Sequence, residues 1–174
     1  MHLHISDPLS LSADEALKLI RDEMPTLTPY LNGTESITVL ERSDNGDETK
    51  IVNRWQASGE QAPKALRPFL KPELLSWLDH ATWSAVDRCA RWHLEPTFGS
   101  TLFRCSGVTT IHPQGEQSTL SIEVDFEVYP ERLPGVPKLL ARGIRGQVER
   151  FIGELLTESL RELSQSIERY VAER

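Results

Sequence analysis

The sequence of 174 residues predicts an α+β fold in which helices cover one side of a curved antiparallel sheet. Three observations predict it. Residues 120–128 alternate between apolar and acidic or hydroxyl side chains, which is typical of a strand with one buried face. Within the predicted hairpin and the predicted meander, consecutive β-rich segments are separated by Gly-containing turns rather than by helices. Apolar residues then recur at helical spacing from about Arg145 to the C-terminus, which predicts a long helix that covers the sheet.

The N-terminal elements are a short strand and a helix. Alternation predicts the strand in HLHIS, and the helix follows in SADEALKLIRDEM. Ser12 and Glu15 have the spacing of a capping box, which satisfies backbone N–H groups at a helix start. Pro25 limits the helix, because proline cannot continue a helix interior.

A hairpin and a proline-rich crossing come next. The hairpin is predicted in SITVLERSDNGDETKIVNRWQAS, because two β-rich segments flank the tight-turn pair Asn45–Gly46. The proline-containing stretch 62–75 predicts one or two short helical turns.

An antiparallel meander is predicted to follow, which gives a sheet of about six or seven strands. Its strands are read in DHATWSAVDRCARWHLEP, TLFRCSGVTTIHP and STLSIEVDFEVYP. Turns centred near Thr97 and Gly115 would place Trp92 opposite Leu102 and Val108 opposite Ile122. A slip of one residue would swap the two faces of a strand, so this assignment depends on register.

In that register two arginines, Arg88 and Arg104, lie on the apolar face beside Ser106. A guanidinium in an apolar interior is costly unless it is paired or hydrated. Arg88 could pair with an internal carboxylate, extend to the edge of the sheet, or face a wet cavity and bind an anionic ligand group. The acidic residues of the last strand lie on its other face, which favours the ligand interpretation slightly. Extension to the edge or a framework ion pair is still the simpler interpretation, because ion-pair networks also hold such charges.

Composition restricts the function classes. The net charge is −7, which argues against non-specific binding to nucleic acid or to anionic membranes. No apolar segment has the length of a membrane span, and no signal peptide is visible, so we expect a single domain, 1–174, in the cytoplasm. There Cys89 and Cys105, predicted as cross-strand neighbours on the outer face, would be free thiols.

Motifs for metal, cofactor or covalent chemistry are absent from the sequence. It contains no zinc spacing, phosphate loop, dinucleotide fingerprint or nucleophile elbow. His2 and His4 have a spacing that two metal ligands can use, but no third ligand is identifiable, and a solvated strand is the simpler interpretation. We therefore predict no metal site, no cofactor and no catalytic residue.

Three segments carry a family resemblance: SADEALKLIRD after the first strand, WHLEP at the end of a middle strand, and GIRGQVERFIGELLTESLRELSQSIERYV. Together with the element order they resemble the START-like, Bet v 1-like superfamily, also called helix-grip or polyketide cyclase/dehydrase and lipid transport proteins. RGQVERFI is similar to the G-x-x-E-x-x-I beginning of the final helix in uncharacterised bacterial branches. The resemblance implies a seven-stranded sheet around that helix, with a cavity for lipids, sterols or polyketide-like rings. Some branches are aromatases or cyclases.

The sequence thus predicts a non-catalytic protein that holds a hydrophobic or amphipathic small molecule between the sheet and the C-terminal helix. Arg88 and Arg104 would orient an anionic group of this ligand. The other expected cavity-lining residues are Trp92, Ser106, Val108, Ile122, Val124, Phe126, Phe151, Leu155 and His80. One alternative is a cyclase- or aromatase-type enzyme that uses His80 for proton transfer. Another is an interaction module whose own side chains fill the cavity. The sequence indicates no oligomeric state.

Overall fold

The computed structural model describes residues 1–58, 72–98, 103–129, 132, 146 and 157–174. Within them, seven antiparallel strands form a sheet in the order β1-β7-β6-β5-β4-β3-β2. The strands are β1 (His2–Leu9), β2 (Thr34–Asn45), β3 (Glu48–Ala57), β4 (Ser76–Ser84), β5 (Cys89–Pro96), β6 (Phe103–Gln114) and β7 (Gln117–Val128). The helices are α1 (Ala13–Asp22), a C-terminal helix α2 described over residues 157–172, and 3-10 helices at Met24–Tyr30 and Pro72–Leu75. The predicted α+β class is confirmed.

The predicted start of α1 is confirmed. Ser12 is the N-cap, and both hydrogen bonds of the capping box with Glu15 are present. One face of α1 packs on β6 and β7, where Ala16, Leu19 and Ile20 are buried. The helix therefore covers the end of the sheet at which β4 stops and β5 begins, as the contact between Arg88 and Asp14 also shows.

The β2–β3 hairpin is confirmed, with its turn at residues 46–47 and Gly46 at a φ of 61°. The left-handed backbone there is available to glycine without steric cost. Of the short helical turns predicted over 62–75, Pro72–Leu75 is a 3-10 helix, and 59–71 lie outside the described residues.

The segment predicted as one strand from 79 to 96 is two strands, β4 and β5. A turn over 85–88 separates them, and Val86 is 67% exposed. The Ser84 hydroxyl donates to the Asp87 carboxylate and accepts from the Asp87 N–H, and Arg88 follows at a φ of 48°. The sequence analysis missed this turn because it contains no Gly, Pro or Asn.

The register of β6 also differs from the prediction. Trp92 pairs with Gly107, and Thr109 pairs with Ile122. As a result Cys105, rather than Arg104, faces the core. The predicted partner of Trp92 was five residues away from the observed one, and the predicted partner of Ile122 was one residue away. Each of these odd shifts exchanges the two faces of a strand, so the predicted faces of β6 are reversed. At β7 the two exchanges compensate each other, and its even-numbered residues are buried as predicted.

The two cysteines are not cross-strand partners, which corrects the predicted pairing. Cys89 pairs with Thr110 and Cys105 with Leu94, and both thiols are free. Cys105 is buried on the inner face of the sheet, the face towards the helices.

The helix α2 packs against the N-terminal part of the chain and forms hydrogen bonds with it. Ile167 is fully buried, and the Ser166 hydroxyl donates to the Tyr30 carbonyl oxygen at 2.7 Å. The Ser164 hydroxyl donates to Asp7 at 2.9 Å, and Tyr170 packs edge-on against Tyr30. Among the described residues, no helix combines the length and hydrophobicity that a membrane span requires.

Candidate functional site

The candidate site is a polar and aromatic cluster on the inner face of β3 and β4, at the end of β4 away from α1. Asn53 and Trp55 on β3 pair across the ladder with Asp79 and Trp77 on β4, respectively. Strand alternation places all four on one face, because each is an odd-numbered residue of its strand. The two indole rings lie nearly parallel, with centroids 6.1 Å apart and an interplanar angle of 12°.

Asp79 is the unusual member of this cluster. Burial raises the pKa of its carboxyl group to about 7, and the nearby Trp55 side chain offsets part of that shift. A carboxyl group whose pKa lies near neutrality exists in both protonation states under physiological conditions. Such groups concentrate at functional sites, because proton transfer works best when the pKa matches the working pH.

Three buried polar atoms of the cluster have no hydrogen-bond partner within the described part of the chain: Asn53 Oδ1, Trp55 Nε1 and Asp79 Oδ1. Trp55 Nε1 is close enough to Asp79 to favour the ionised carboxylate but does not reach hydrogen-bond geometry with it. Folded proteins pair almost all buried polar atoms, and each unpaired one costs about 1–3 kcal/mol. Partners for these three atoms would have to come from an ordered water or from a bound molecule.

The apolar side of the cluster continues across the sheet. From Asp79 the paired residues on the same face are Leu94, Cys105 and Phe126. Burial raises the pKa of the Cys105 thiol to about 12, and the charge of Asp79 acts in the same direction. The thiol therefore stays protonated at neutral pH and is a poor nucleophile.

A pocket of about 880 Å³ opens beside this row, at the ends of β5 and β6. The ladder between the two strands ends at the pair Leu94–Cys105, so Pro96 and Phe103 are not paired with each other. The pocket borders both faces of the sheet, and Arg104, Ser106 and Phe126 are among its lining residues.

Comparisons with known proteins identify the fold. No protein-family model and no curated protein matches the sequence. The aromatase/cyclase Zhui of a Streptomyces species matches the structure with a TM-score of 0.67 and 15% identity, over 98% of this chain and 95% of its own. The chain has the START/Bet v 1-like helix-grip fold. A START superfamily protein of Mycobacterium smegmatis matches with a TM-score of 0.56 and 15% identity, over 99% and 97% of the two chains. Norcoclaurine synthase of Thalictrum flavum matches with a TM-score of 0.60 and 14% identity, over 100% and 87%.

Arg88 does not face the interior of the helix-grip fold, which corrects its predicted position. It lies in the β4–β5 turn, and its Nε donates to Asp14 Oδ1 of α1 at 2.8 Å. The Asp14 side chain is 80% exposed, so this is a surface ion pair of the kind that contributes at most about 1 kcal/mol. The structure thus shows a framework contact, one of the alternatives open from the sequence.

Arg104, Ser106 and Val108 lie on the outer face of β6, which corrects their predicted orientation. They oppose Glu127, Asp125 and Glu123 of β7. Arg104 and Ser106 are exposed, and they border the 880 Å³ pocket from its outer side. Their side chains alternate with the buried residues of the strand, so they cannot point to the core in this register.

His80 also lies on the outer face. Its ring stacks on His93 at a centroid distance of 4.7 Å, and Nε2 lies 3.2 Å from Glu95 Oε2. It therefore cannot deliver a proton into the space between sheet and helix.

Several expected lining residues do lie on the inner face. Three of them are buried there: Ile122, Val124 and Phe126. The Trp92 ring packs against the same core, and its Nε1 donates a hydrogen bond to Thr109 Oγ1 at 3.0 Å. Their contact with a ligand stays a prediction. Phe151 and Leu155 lie outside the described residues.

The sequence analysis missed Asp79, although a signal was present. Trp77, Ala81 and Trp83 share its parity on β4 and form an apolar face that contains one carboxylate. The even-numbered residues of β4, which include His80, were predicted to face the interior, whereas the odd-numbered residues do so.

Proposed function

We propose that the protein binds a hydrophobic or amphipathic small molecule, of lipid-like or polyketide-like character, between the sheet and the C-terminal helix. The observation that carries the proposal is the set of unpaired buried polar atoms beside the Trp55–Trp77 stack. The helix-grip fold supports it, since a norcoclaurine synthase with this fold has been solved in complex with dopamine and hydroxybenzaldehyde. We place this function in a single cytoplasmic domain.

Most of the binding free energy would come from apolar burial. At about 25 cal/mol per Å², a ligand that buries roughly 300 Å² gains about 7.5 kcal/mol before the costs of association. The polar atoms then fix the orientation of the ligand and add less to its affinity than the apolar burial does.

Native mass spectrometry of gently purified protein tests the proposal. We expect a bound small molecule that is released on denaturation, and saturable binding of naphthalene by the emptied protein in calorimetry. Arg88→Ala is the control, because the Arg88 side chain contacts Asp14 at the surface and its loss should leave binding unchanged. A protein without a co-purified molecule and without naphthalene binding would instead be the interaction module with a filled interior.

A cyclase- or aromatase-type enzyme is the second candidate, and Asp79 is the observation that favours it. A carboxyl group with a pKa of about 7 can both donate and accept a proton near neutral pH. In the enzyme hypothesis, Asp79 replaces His80 as the residue that transfers the proton. Turnover of a polyketide-like substrate should then be lost in Asp79→Asn while binding of the substrate is retained.

A further inference from the structure

We propose that Asn53, Trp55 and Asp79 form a subsite for the hydroxyl group of an uncharged, ring-containing ligand. The inference rests on the proposed function and specifies the ligand class for the same site. It replaces the anionic head group expected from the sequence, which depended on arginines that the fold places elsewhere.

The hydrogen-bonding character of the three atoms points to a hydroxyl group. Asn53 Oδ1 and Asp79 Oδ1 are oxygens that accept hydrogen bonds, whereas Trp55 Nε1 is a donor and cannot accept. A hydroxyl group donates one hydrogen bond and accepts up to two, so it can pair with one of the oxygens and with the indole N–H together. An ammonium group has no lone pair and would leave Trp55 Nε1 unpaired.

The charge around the subsite disfavours an anion. The described inner-face residues that flank Asp79, along β4 and across to β3 and β5, are Trp77, Ala81, Asn53 and Leu94. None of these four is basic. Among the described residues, a ligand carboxylate or phosphate would therefore lie beside a carboxyl group and find no neutralising partner there, in surroundings where water screens charge poorly.

The two tryptophan side chains beside the subsite favour a ligand that contains a planar ring. Trp55 and Trp77 present nearly parallel indoles, and Trp55 carries the orphan donor itself. Because the Trp55 N–H donates in the plane of its indole, a planar ring that packs along the two indoles and extends past the edge of Trp55 would bring a substituent towards Nε1. Aromatic contacts of this type contribute about 0.5–1.5 kcal/mol beyond the area that they bury.

The test compares naphthalene, 2-naphthol, 2-naphthoate and 2-naphthylmethylammonium by isothermal titration calorimetry at neutral pH. The four probes share one ring system, so differences between them report on the polar group. We expect 2-naphthol to bind wild-type protein about tenfold more tightly than naphthalene, as one additional buried hydrogen bond predicts. The naphthoate should bind more weakly than naphthalene.

Two variants separate the subsite from the cavity. Asp79→Leu removes the carboxyl oxygen at similar volume, and Trp55→Phe keeps a ring while it removes the N–H. Each should reduce the naphthol preference to about twofold or less and leave naphthalene binding nearly unchanged. Asp47→Leu, the same change at an exposed position of the β2–β3 turn, should retain the full preference.

The outcomes distinguish this inference from the proposed function. Equal affinities of wild-type protein for naphthol and naphthalene would mean that an ordered water satisfies the three atoms, which would overturn the subsite but keep the cavity. Tightest binding of the naphthoate or of the ammonium probe would also overturn it. If none of the four probes binds, the proposed function fails, and the subsite fails with it.

Discussion

Asp79 shows how one residue acquires its chemistry from its surroundings. In the sequence it is one of 26 acidic residues, and alternation on β4 places it between Trp77 and Ala81 on the buried face. There the low dielectric favours the protonated carboxyl group. The predicted position of Arg88 was wrong because the inner face carries odd-numbered residues on β4 and even-numbered residues on β5, and the change occurs at the turn that contains Arg88.

Asp79→Asn should remove a pH dependence of stability. The raised pKa means that the folded protein keeps a proton that the unfolded chain releases between about pH 4 and pH 7. The free energy of unfolding contributed by Asp79 therefore falls as the pH rises through this window, by up to about 4 kcal/mol. Urea denaturation of both proteins across this range measures the effect.

The comparison isolates Asp79, because other carboxyl groups titrate in both proteins. Asp22 is one example: hydrogen bonds from Arg21 hold the pKa of its carboxyl group below the usual value. The free energy of unfolding that Asp22 contributes therefore falls as the pH falls, whereas the contribution of Asp79 falls as the pH rises. Above neutral pH, Asp79→Asn should be more stable than the wild type. A constant difference between the two proteins at every pH would contradict the buried ionisation.

At the scale of elements, local signals decided some features and missed others. The capping box of α1 and the Asn-Gly turn of the β2–β3 hairpin are encoded by adjacent residues, and both were predicted correctly. The register of β5 and β6 was not, because it depends on contacts across the ladder. One such contact is the packing of the Trp92 ring over Gly107, where a Cβ atom would overlap the ring and the Glu123 carbonyl oxygen.

Gly107→Ala should therefore destabilise the protein. The added methyl group forces Trp92 or the β6–β7 ladder to move, and overpacking of this kind costs about 1–3 kcal/mol. Thermal unfolding followed by tryptophan fluorescence would show a lower melting temperature. Gly146→Ala is the matched control, since a Cβ there meets open space and alanine favours helix. Equal melting temperatures for Gly107→Ala and the wild type would refute the close packing.

For the whole molecule, the decisive contacts join the two ends of the chain. The sequence predicted that the C-terminal helix covers the sheet, and Ile167 of α2 does belong to the same buried core as the inner-face residues of β7. It did not predict the hydrogen bonds from Ser164 to Asp7 and from Ser166 to the Tyr30 carbonyl oxygen. Those partners lie far apart in sequence, so no local pattern marks them.

Ile167→Ala should lower the free energy of unfolding by about 2–5 kcal/mol, because it leaves a cavity at a fully buried position. Gln165→Ala, two residues away on the exposed side of α2, should change it by less than about 0.5 kcal/mol.

Urea titrations followed by circular dichroism and by fluorescence should give coincident transitions. A loss of helix signal before the fluorescence change would show that α2 is not part of one cooperative unit.

The sequence by itself determined the α+β class, the position and cap of α1, the β2–β3 hairpin, the buried face of β7 and the helical C-terminus. These follow from periodicity and from residues adjacent in the chain. Only the tertiary structure decided that β4 and β5 are separate strands, that Arg104 faces outward and that Asp79 faces inward beside Trp55. The physical reason is the two-residue period of a strand, in which a register shift of one residue exchanges its faces, and the register is set by long-range packing.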